Sequence, residues 1–313
     1  MIQHLKGREQ KLNDPRWSAT DAEWIALVCL HSGVFIRSQY TAWRGASRTS
    51  ALRLVHRLLA ARAAVEHTEP NISKQAPLIR IYKRRFYNAL GAPNVRHRKD
   101  AGPDVFLRRL LSLDYVLENI DLPWLPTEPE KVQYCESLGI AEKLLPKKTY
   151  AGAVDSTPRY FSVKLPIAAE QDRATFVYTD PEEVTDKGLR TWGAAHVPLW
   201  ENLRNAGIRV RVVAVSRKLH LLKRCERLLK QWAGWPFQIE NNEKRTEIRR
   251  INQAIDDQDE GTLADYGGLR GAIQAVLELE RSSSGDSQPE SSSIDEYQCW
   301  WSNRVAAVQD ATD

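Results

Sequence analysis

The chain has 313 residues, of which 42% are apolar and 27% charged, and its net charge at pH 7 is +5. Length and composition are typical of a folded protein of about two domains, and they exclude a collagenous or wholly disordered chain. Its four cysteines lack CxxC spacing, which excludes a zinc ribbon and a disulfide framework, and no apolar run reaches the ~18 residues of a membrane span.

The first residues of the chain are polar and carry no targeting signal. Residues 1–14 lack the apolar stretch of a signal peptide. We therefore expect a cytoplasmic protein that does not associate with membranes. Residues 1–20 are interpreted as an N-terminal arm that precedes the first domain.

The charge is distributed unevenly along the chain. Residues 1–110 carry a net charge of +12, residues 111–254 a net +3 and residues 255–313 a net −10. A basic region of this size attracts polyanions such as nucleic acids. An ordinary solvated surface is the alternative, so the interpretation depends on whether the basic residues lie on an element that fits a DNA groove.

Three helices are predicted after the arm. The first spans residues 21–33, with Thr20 or Asp21 as its N-cap, and a short second helix spans about residues 37–43. The third spans residues 47–62. Its apolar positions recur at helical spacing and form the predicted buried face, which comprises Ala51, Leu54, Val55, Leu58 and Leu59.

Two strand-like segments follow the third helix. They read AVEHTE (64–69) and LIRIYK (78–83), and a turn-rich segment predicted to be an exposed loop joins them. Three helices with a short second one, followed by a β-hairpin, is the element order of a winged helix-turn-helix. We therefore predict this fold for residues 21–100, with the hairpin as the wing.

The basic residues of this region lie where such a fold contacts DNA. The second helix of a helix-turn-helix enters the major groove with its N-terminal half against base edges, which gives base readout to Arg48, Thr49 and Arg53. Residues at the wing would contact phosphates. The alternative is a solvated helix face on a domain that binds proteins. The predicted DNA-contacting residues are Ser47, Arg48, Thr49, Arg53, His56, Arg57, Arg80, Lys83, Arg84 and Arg85.

The middle of the chain changes from helical to mixed patterns. Residues 101–150 are predicted to be a helical connector, with an amphipathic helix over 104–118 that begins after Pro103. Residues 151–235 alternate strand and helix patterns, which favours a small α/β domain in which helices pack on a sheet. Pro198 is expected to kink or break the long helical segment of that domain.

The C-terminal part is predicted to be helical and partly disordered. Residues 236–280 form a helical extension, and residues 281–313 begin with a Ser-rich linker. The segment IDEYQCWWSNRVAAV is then expected to form a short amphipathic helix. Trp300 and Trp301 would be costly to leave in water, so we expect them to dock on the body of the protein or on a partner. The overall prediction is a mixed α+β protein.

The sequence holds little that resembles an active site. It lacks the HExxH, GxSxG, Walker A and GxGxxG motifs, and we predict no cofactor and no metal. One weak pattern is that of restriction-type nucleases, which combine two carboxylates and a Lys around Mg²⁺. Asp155, Asp180 and Lys164 could supply it, although Ser162 stands where the second acid is expected. The alternative is a set of loop, turn and surface residues.

The order of parts resembles the replication-relaxation family, the MobC-like proteins of plasmids and integrative elements. The resemblance covers about residues 20–232 and rests on SRTSALRLVHRLLAARAAVEHTE…LIRIYK, TPRYFSVKLPI and FVYTDPEEVTDKGLRTWGAAHVPLWENLRNAGIRVRVVAVS. It implies an accessory DNA-binding factor for plasmid replication or mobilisation, with some members related to nuclease-like folds that lack obvious active sites. The acidic, Ser-rich C-terminus departs from this pattern.

These observations favour a non-enzymatic, double-stranded DNA-binding protein of a mobile genetic element. We expect a homodimer that also contacts a relaxase, a replication protein or another mobile-element protein. Three alternatives remain: a transcriptional regulator whose α/β domain senses a ligand or dimerises, a Mg²⁺-dependent nuclease, and a protein-interaction module.

Overall fold

A computed structural model gives the fold of this chain. It describes residues 2–12, 14–69, 72, 77–151, 156–161, 165–183, 185–234, 247, 250–255, 259–283 and 292–305. The protein is mixed α+β, as predicted. It divides into two compact units, of which the first comprises residues 1–233 with 294–313 and the second residues 234–293.

The N-terminal part of the first unit contains four helices and a small sheet. Strand order in this sheet is β1-β3-β2, and both pairings are antiparallel. The two-residue strand β1 is too short to leave a sequence signal. The elements are α1 (Ala19–His31), β1 (Val34–Phe35), α2 (Arg37–Arg44), α3 (Arg48–Ala60), β2 (Ala64–His67), β3 (Leu78–Ile81) and α4 (Arg84–Ala89).

Helix α1 begins two residues earlier than predicted. Its N-cap is Ser18, not Thr20 or Asp21: the Ser18 hydroxyl accepts a hydrogen bond from the Asp21 amide, and the Asp21 carboxylate accepts one from the Ser18 amide. This capping box satisfies two otherwise unpaired donors. Gly33 follows the helix with a φ of +74°, and a Cβ there would lie 2.3 Å from the carbonyl oxygen of His97, so only glycine fits.

The predicted N-terminal arm packs against helix α1. Residues Gln3–Leu5 and Arg8–Leu12 form two short 3-10 helices. Leu5 and Leu12 are buried in the same core cluster as Trp24 and Leu27 of α1. The arm therefore completes the core of the N-terminal part.

Helix α5 (Pro103–Glu118) is a central element rather than a connector. Its Leu113 and Leu117 belong to the core of the N-terminal part. Its Phe106 and Leu110 share a second core cluster with Val34. Residues 21–100 therefore share both core clusters with residues outside that range.

A second sheet of four strands forms the other half of the first unit. Strand order is β6-β7-β8-β9, with β6 antiparallel to β7 and the remaining pairs parallel. A separate antiparallel hairpin, β4–β5, precedes it. The elements are α6 (Glu128–Ser137), β4 (Lys147–Ala151), β5 (Ser156–Tyr160), β6 (Ile167–Ala169), β7 (Arg173–Thr179), α7 (Lys187–Asn205), β8 (Arg209–Ser216), α8 (Leu219–Gly234) and β9 (Glu296–Trp301).

Aromatic side chains fill the space between α7 and the sheet. The Trp200 ring lies 5.8 Å from Phe176 of β7 and 5.9 Å from Trp232 of α8, measured between ring centroids. His196 lies 5.8 Å from Phe176. These edge-to-face and tilted contacts fix α7 on the sheet.

Three predictions about these elements are wrong. Strand β4 lies within the segment predicted as a helical connector, because it pairs with β5 in a hairpin. Helix α7 runs through Pro198, so a break there is wrong, whereas a kink stays a prediction; Leu199 and Trp200 beside the proline are fully buried.

The third correction concerns the C-terminal helix. Residues Glu296–Trp301 form a strand that pairs in parallel with β8, from Arg211↔Glu296 to Ser216↔Trp301. Tyr, Cys and Trp side chains suit a strand better than a helix when the backbone can join an existing sheet edge. Trp300 docks on the body of the protein as expected, with its ring centroid 5.5 Å from that of Tyr115 in α5. Trp301, in contrast, remains 48% exposed.

The second unit contains helices where the helical extension was predicted. Residues 250–255 are helical, and α9 (Glu260–Ala264) and α10 (Leu269–Ser283) follow. Ile251, Leu263 and Ala272 are buried together and form its small core. In the part of the chain that the structure describes, none of the helices is long and apolar enough to cross a membrane.

Three buried histidines make the first unit sensitive to acid. Nε2 of His4 lies 3.3 Å from Nε2 of His31, and burial lowers the pKa of His4 to about 4 and that of His31 well below its usual value. Burial also lowers the pKa of His196 to about 4. The unfolded chain therefore binds more protons below pH 6.5, so stability falls as the pH falls from 6.5 towards 4.

Replacing His196 by Phe tests this pH dependence. Between pH 6.5 and 4.5 we expect the free energy of unfolding to fall less steeply with pH in H196F than in the unchanged chain. The two slopes should differ by up to about 1.4 kcal/mol per pH unit, the effect of one proton. Urea denaturation at a series of pH values measures the slopes. Between pH 7 and 8 the two proteins should have equal slopes, and equal slopes below pH 6.5 would contradict the prediction.

Candidate nucleic-acid interface

Helix α3 has one buried and one exposed face. Four of the five residues predicted for the buried face are at most 1% exposed, namely Ala51, Leu54, Val55 and Leu58. The fifth, Leu59, is only partly buried. The N-cap Ser47 accepts a hydrogen bond from the Ser50 amide at 3.2 Å, which fixes the start of the helix. Exposed side chains on the opposite face are Ser47, Arg48, Thr49, Leu52, Arg53, His56 and Arg57.

Leu52 is a member of this face that the sequence reasoning missed. It is 38% exposed among cationic and hydroxyl side chains. An apolar side chain in such a position can contact a thymine methyl group or a sugar. Its position four residues after Arg48 and four before His56 is the signal that could have identified it.

Arg57 is exposed but forms an ion pair with a residue of another helix. Its Nη2 lies 2.6 Å from Oδ2 of Asp21, the capping-box residue of α1, and Asp21 is almost fully buried. This ion pair joins α3 to the start of α1. Arg57 therefore has a structural role that the sequence did not indicate.

Arg80 and Lys83 are also held by internal contacts. The Arg80 Nε donates to Nε2 of His67 at 3.0 Å and its Nη1 donates to the carbonyl of Arg98 at 2.8 Å. Lys83 Nζ donates to the carbonyl of Ala61 at 2.9 Å. By contrast, Arg84 and Arg85 are exposed in the first turn of α4.

The loop between β2 and β3 is described at few positions. Ile72 within it is 2% exposed and belongs to the core cluster that α5 shares with the second sheet. The carbonyl of Ile72 accepts a hydrogen bond from Nη1 of Arg217 at 2.7 Å, just after β8. At this residue the loop is therefore docked on the protein, not exposed as predicted.

Of the residues in the nuclease alternative, only Asp180 is described. Asp155, Ser162 and Lys164 lie outside the described residues. Asp180 Oδ1 accepts hydrogen bonds from the amides of Glu182 and Glu183 at 2.8 and 3.1 Å, and its Oδ2 accepts one from Arg224 at 3.1 Å. Both oxygens of this buried carboxylate thus hold the turn after β7.

Burial raises the pKa of the Asp180 carboxyl, and its hydrogen bonds with the two amides and with Arg224 oppose that rise.

Within the described ranges, no group of three or more His, Cys, Asp or Glu side chains is arranged to hold a metal ion.

Two groups of exposed residues in the N-terminal part contain basic side chains of the predicted DNA-contacting set. The first is the recognition face, defined as Arg48, Thr49, Leu52, Arg53 and His56 on α3. The second is the α4 pair, Arg84 and Arg85. Comparison of the chain with protein-family models, with curated proteins and with solved structures returns no match.

Proposed function

We propose that this chain is a double-stranded DNA-binding accessory protein of a mobile genetic element, acting in its replication, mobilisation or regulation. Its N-terminal part would be a winged helix-turn-helix in which α2 and α3 are the helix-turn-helix and β2 and β3 the wing. The order of elements and the resemblance to the replication-relaxation family support this assignment.

The observation that carries the proposal is the recognition face of α3. Arg48 and Arg53 are exposed on one side of a helix whose other side is locked in the core, so they can be presented to a groove without unfolding. Arginine pairs bidentately with guanine, and the threonine hydroxyl can donate to or accept from a base edge. A net charge of +12 over residues 1–110 adds attraction to the phosphate backbone.

The salt dependence of duplex binding tests the proposal. The full chain should bind a random-sequence duplex at ~50 mM salt, and log K should fall linearly with log salt by about 0.9 for each phosphate contact. Replacing Arg84 and Arg85 by alanine should reduce that slope by up to about 1.8 if each contacts one phosphate. Fluorescence anisotropy over a salt series measures both quantities.

The matched control removes two exposed arginines outside the proposed interface. Arg227→Ala with Arg270→Ala causes the same change in net charge, and we expect it to leave the slope almost unchanged. Absence of duplex binding by the folded full chain at ~50 mM salt would overturn the proposal. Equal slopes for the two double variants would instead show that the α4 pair does not contact phosphate.

A further inference from the structure

A cavity of about 480 Å³ opens between α7, the sheet and the start of β4. Its lining comes from elements other than α3, including Arg108 of α5, Lys147 of β4 and Lys187 of α7. Pockets of a few hundred Å³ with an apolar lining and a few polar groups are typical of small-molecule sites.

The mouth of this cavity is cationic. Lys147 and Lys187 are exposed, and within the described residues neither forms an ion pair. Two further cations line the cavity: Lys148, and Arg108, which lies 2.8 Å from the carboxylate of Glu183, so that pair adds no net charge. Lys147 and Lys187 therefore leave a positive charge at the entrance that an anionic ligand could neutralise.

The inner wall of the cavity is aromatic, and its rings are tilted against one another, by 49° between Trp192 and Tyr178 and by 40° between Trp192 and His196. Phe161, Tyr178, Trp192 and His196 line it, and the Trp192 ring lies 5.4 Å from Tyr178 and 4.5 Å from His196. Nδ1 of His196 donates to the carbonyl of Trp192 at 2.7 Å, and burial lowers the histidine pKa to about 4. The ring is thus neutral at pH 7 and extends the apolar surface.

We infer that this cavity binds a nucleoside phosphate, with its base against Trp192 and the neighbouring rings and its phosphate between Lys147 and Lys187. An aromatic wall stacks a planar base, and lysine ammonium groups bind phosphate as point charges. A purely apolar ligand would leave both lysines unused, and inorganic phosphate would leave the wall unused. A free nucleotide and the phosphorylated 5′ end of a single strand both combine a base with a phosphate.

Calorimetric titration of the full chain tests this inference. The titrants are AMP, adenosine, inorganic phosphate and a 5′-phosphorylated single-stranded tetranucleotide. We expect AMP or the tetranucleotide to bind at least tenfold more tightly than both adenosine and phosphate, because only they combine base and phosphate. Binding of AMP identifies a free nucleotide as the source, and binding of the tetranucleotide alone identifies a strand end.

Two variants alter the charge and the space of the cavity separately. Lys147→Ala with Lys187→Ala should weaken binding at least tenfold. Ala195→Trp, at an exposed position on the lining, should abolish binding without changing the charge. Lys143→Ala with Lys230→Ala removes two exposed lysines outside the cavity and should have no effect.

The outcome is independent of duplex binding through α3. We expect the Lys147 and Lys187 double variant to keep its affinity for random duplex within twofold of the unchanged chain. The inference is overturned if AMP and the tetranucleotide bind no more tightly than phosphate. It is also overturned if both the lysine variant and the Ala195→Trp variant bind them as tightly as the unchanged chain.

Discussion

Alanine at both Arg48 and Arg53 should weaken binding to the preferred DNA site far more than binding to random duplex. Each bidentate contact of an arginine with a guanine contributes roughly 1–3 kcal/mol of discrimination. Losing both contacts should reduce the ratio of specific to random affinity by about two orders of magnitude or more. The structure supports this expectation because both side chains are exposed on the recognition face while the helix beneath them is locked in the core.

The experiment first selects the preferred site from a random duplex library with the unchanged chain. Dissociation constants for that site and for random duplex are then measured for each variant. Replacing Arg84 and Arg85 should weaken both affinities alike, since phosphate contacts carry no sequence information. Equal losses on specific and random duplex for the Arg48 and Arg53 variant would show that base readout lies elsewhere.

Arg57→Ala provides a further control within the same helix. Its guanidinium pairs with the almost fully buried Asp21, so its removal leaves that carboxylate without its cationic partner. We expect a loss of stability and an unchanged ratio of specific to random affinity. This outcome would separate the structural arginine of α3 from the two arginines proposed to contact bases.

Removing the C-terminal strand should destabilise the whole first unit. Residues 292–305 include β9, whose Trp300 packs on Tyr115 of α5. The hydroxyl of Ser302 donates to Oδ2 of Asp114 at 2.5 Å, and Arg304 lies 3.5 Å from Oδ1 of the same carboxylate. Asp114 is fully buried, so a truncation at residue 291 leaves a buried charge without these partners.

The expected loss is large because a buried carboxylate without its partners is costly. Breaking a buried ion pair costs about 3–5 kcal/mol, before the lost packing of β9 is included. Urea denaturation of the chain ending at residue 291 measures the effect, and the chain ending at residue 305 is the matched control that keeps β9. Ser302→Ala should cost less, about 1–3 kcal/mol, because it removes one hydrogen bond to Asp114.

The acidic charge of the C-terminal residues suggests a different role, in which they lower the affinity of the chain for DNA. Residues 292–313, which this truncation removes, carry four Asp/Glu and one Arg, a net charge of −3, and could compete with DNA for the basic N-terminal surface. In that case the chain ending at residue 291 would bind random duplex more tightly, most visibly at low salt. A gain in affinity without a loss of stability would contradict the structural role of β9.

Helix α3 shows how much of the candidate site is determined locally. Its cap at Ser47 and its buried face follow from residues within one or two turns of each other, so the sequence alone predicts them. The same holds for α2, which ends at Gly45 with a φ of +60°, and for the order β7, α7, β8 and α8. The spacing of apolar residues and the capping residues are enough to predict such elements, because the interactions that define them lie within a short segment of the chain.

Other features depend on residues distant in the chain, and only the tertiary structure decides them. Arg57, Arg80 and Lys83 stay predicted DNA contacts, and the structure adds a partner from another element to each of them. Residues 296–301 have a strand conformation because the edge of β8, about 85 residues earlier, supplies their hydrogen bonds. The cavity beside α7 is assembled from separate segments, and no local pattern encodes such proximity. The sequence by itself therefore determined the exposed face of α3. The tertiary structure decided which basic residues form contacts within the protein, because their partners lie in other segments of the chain.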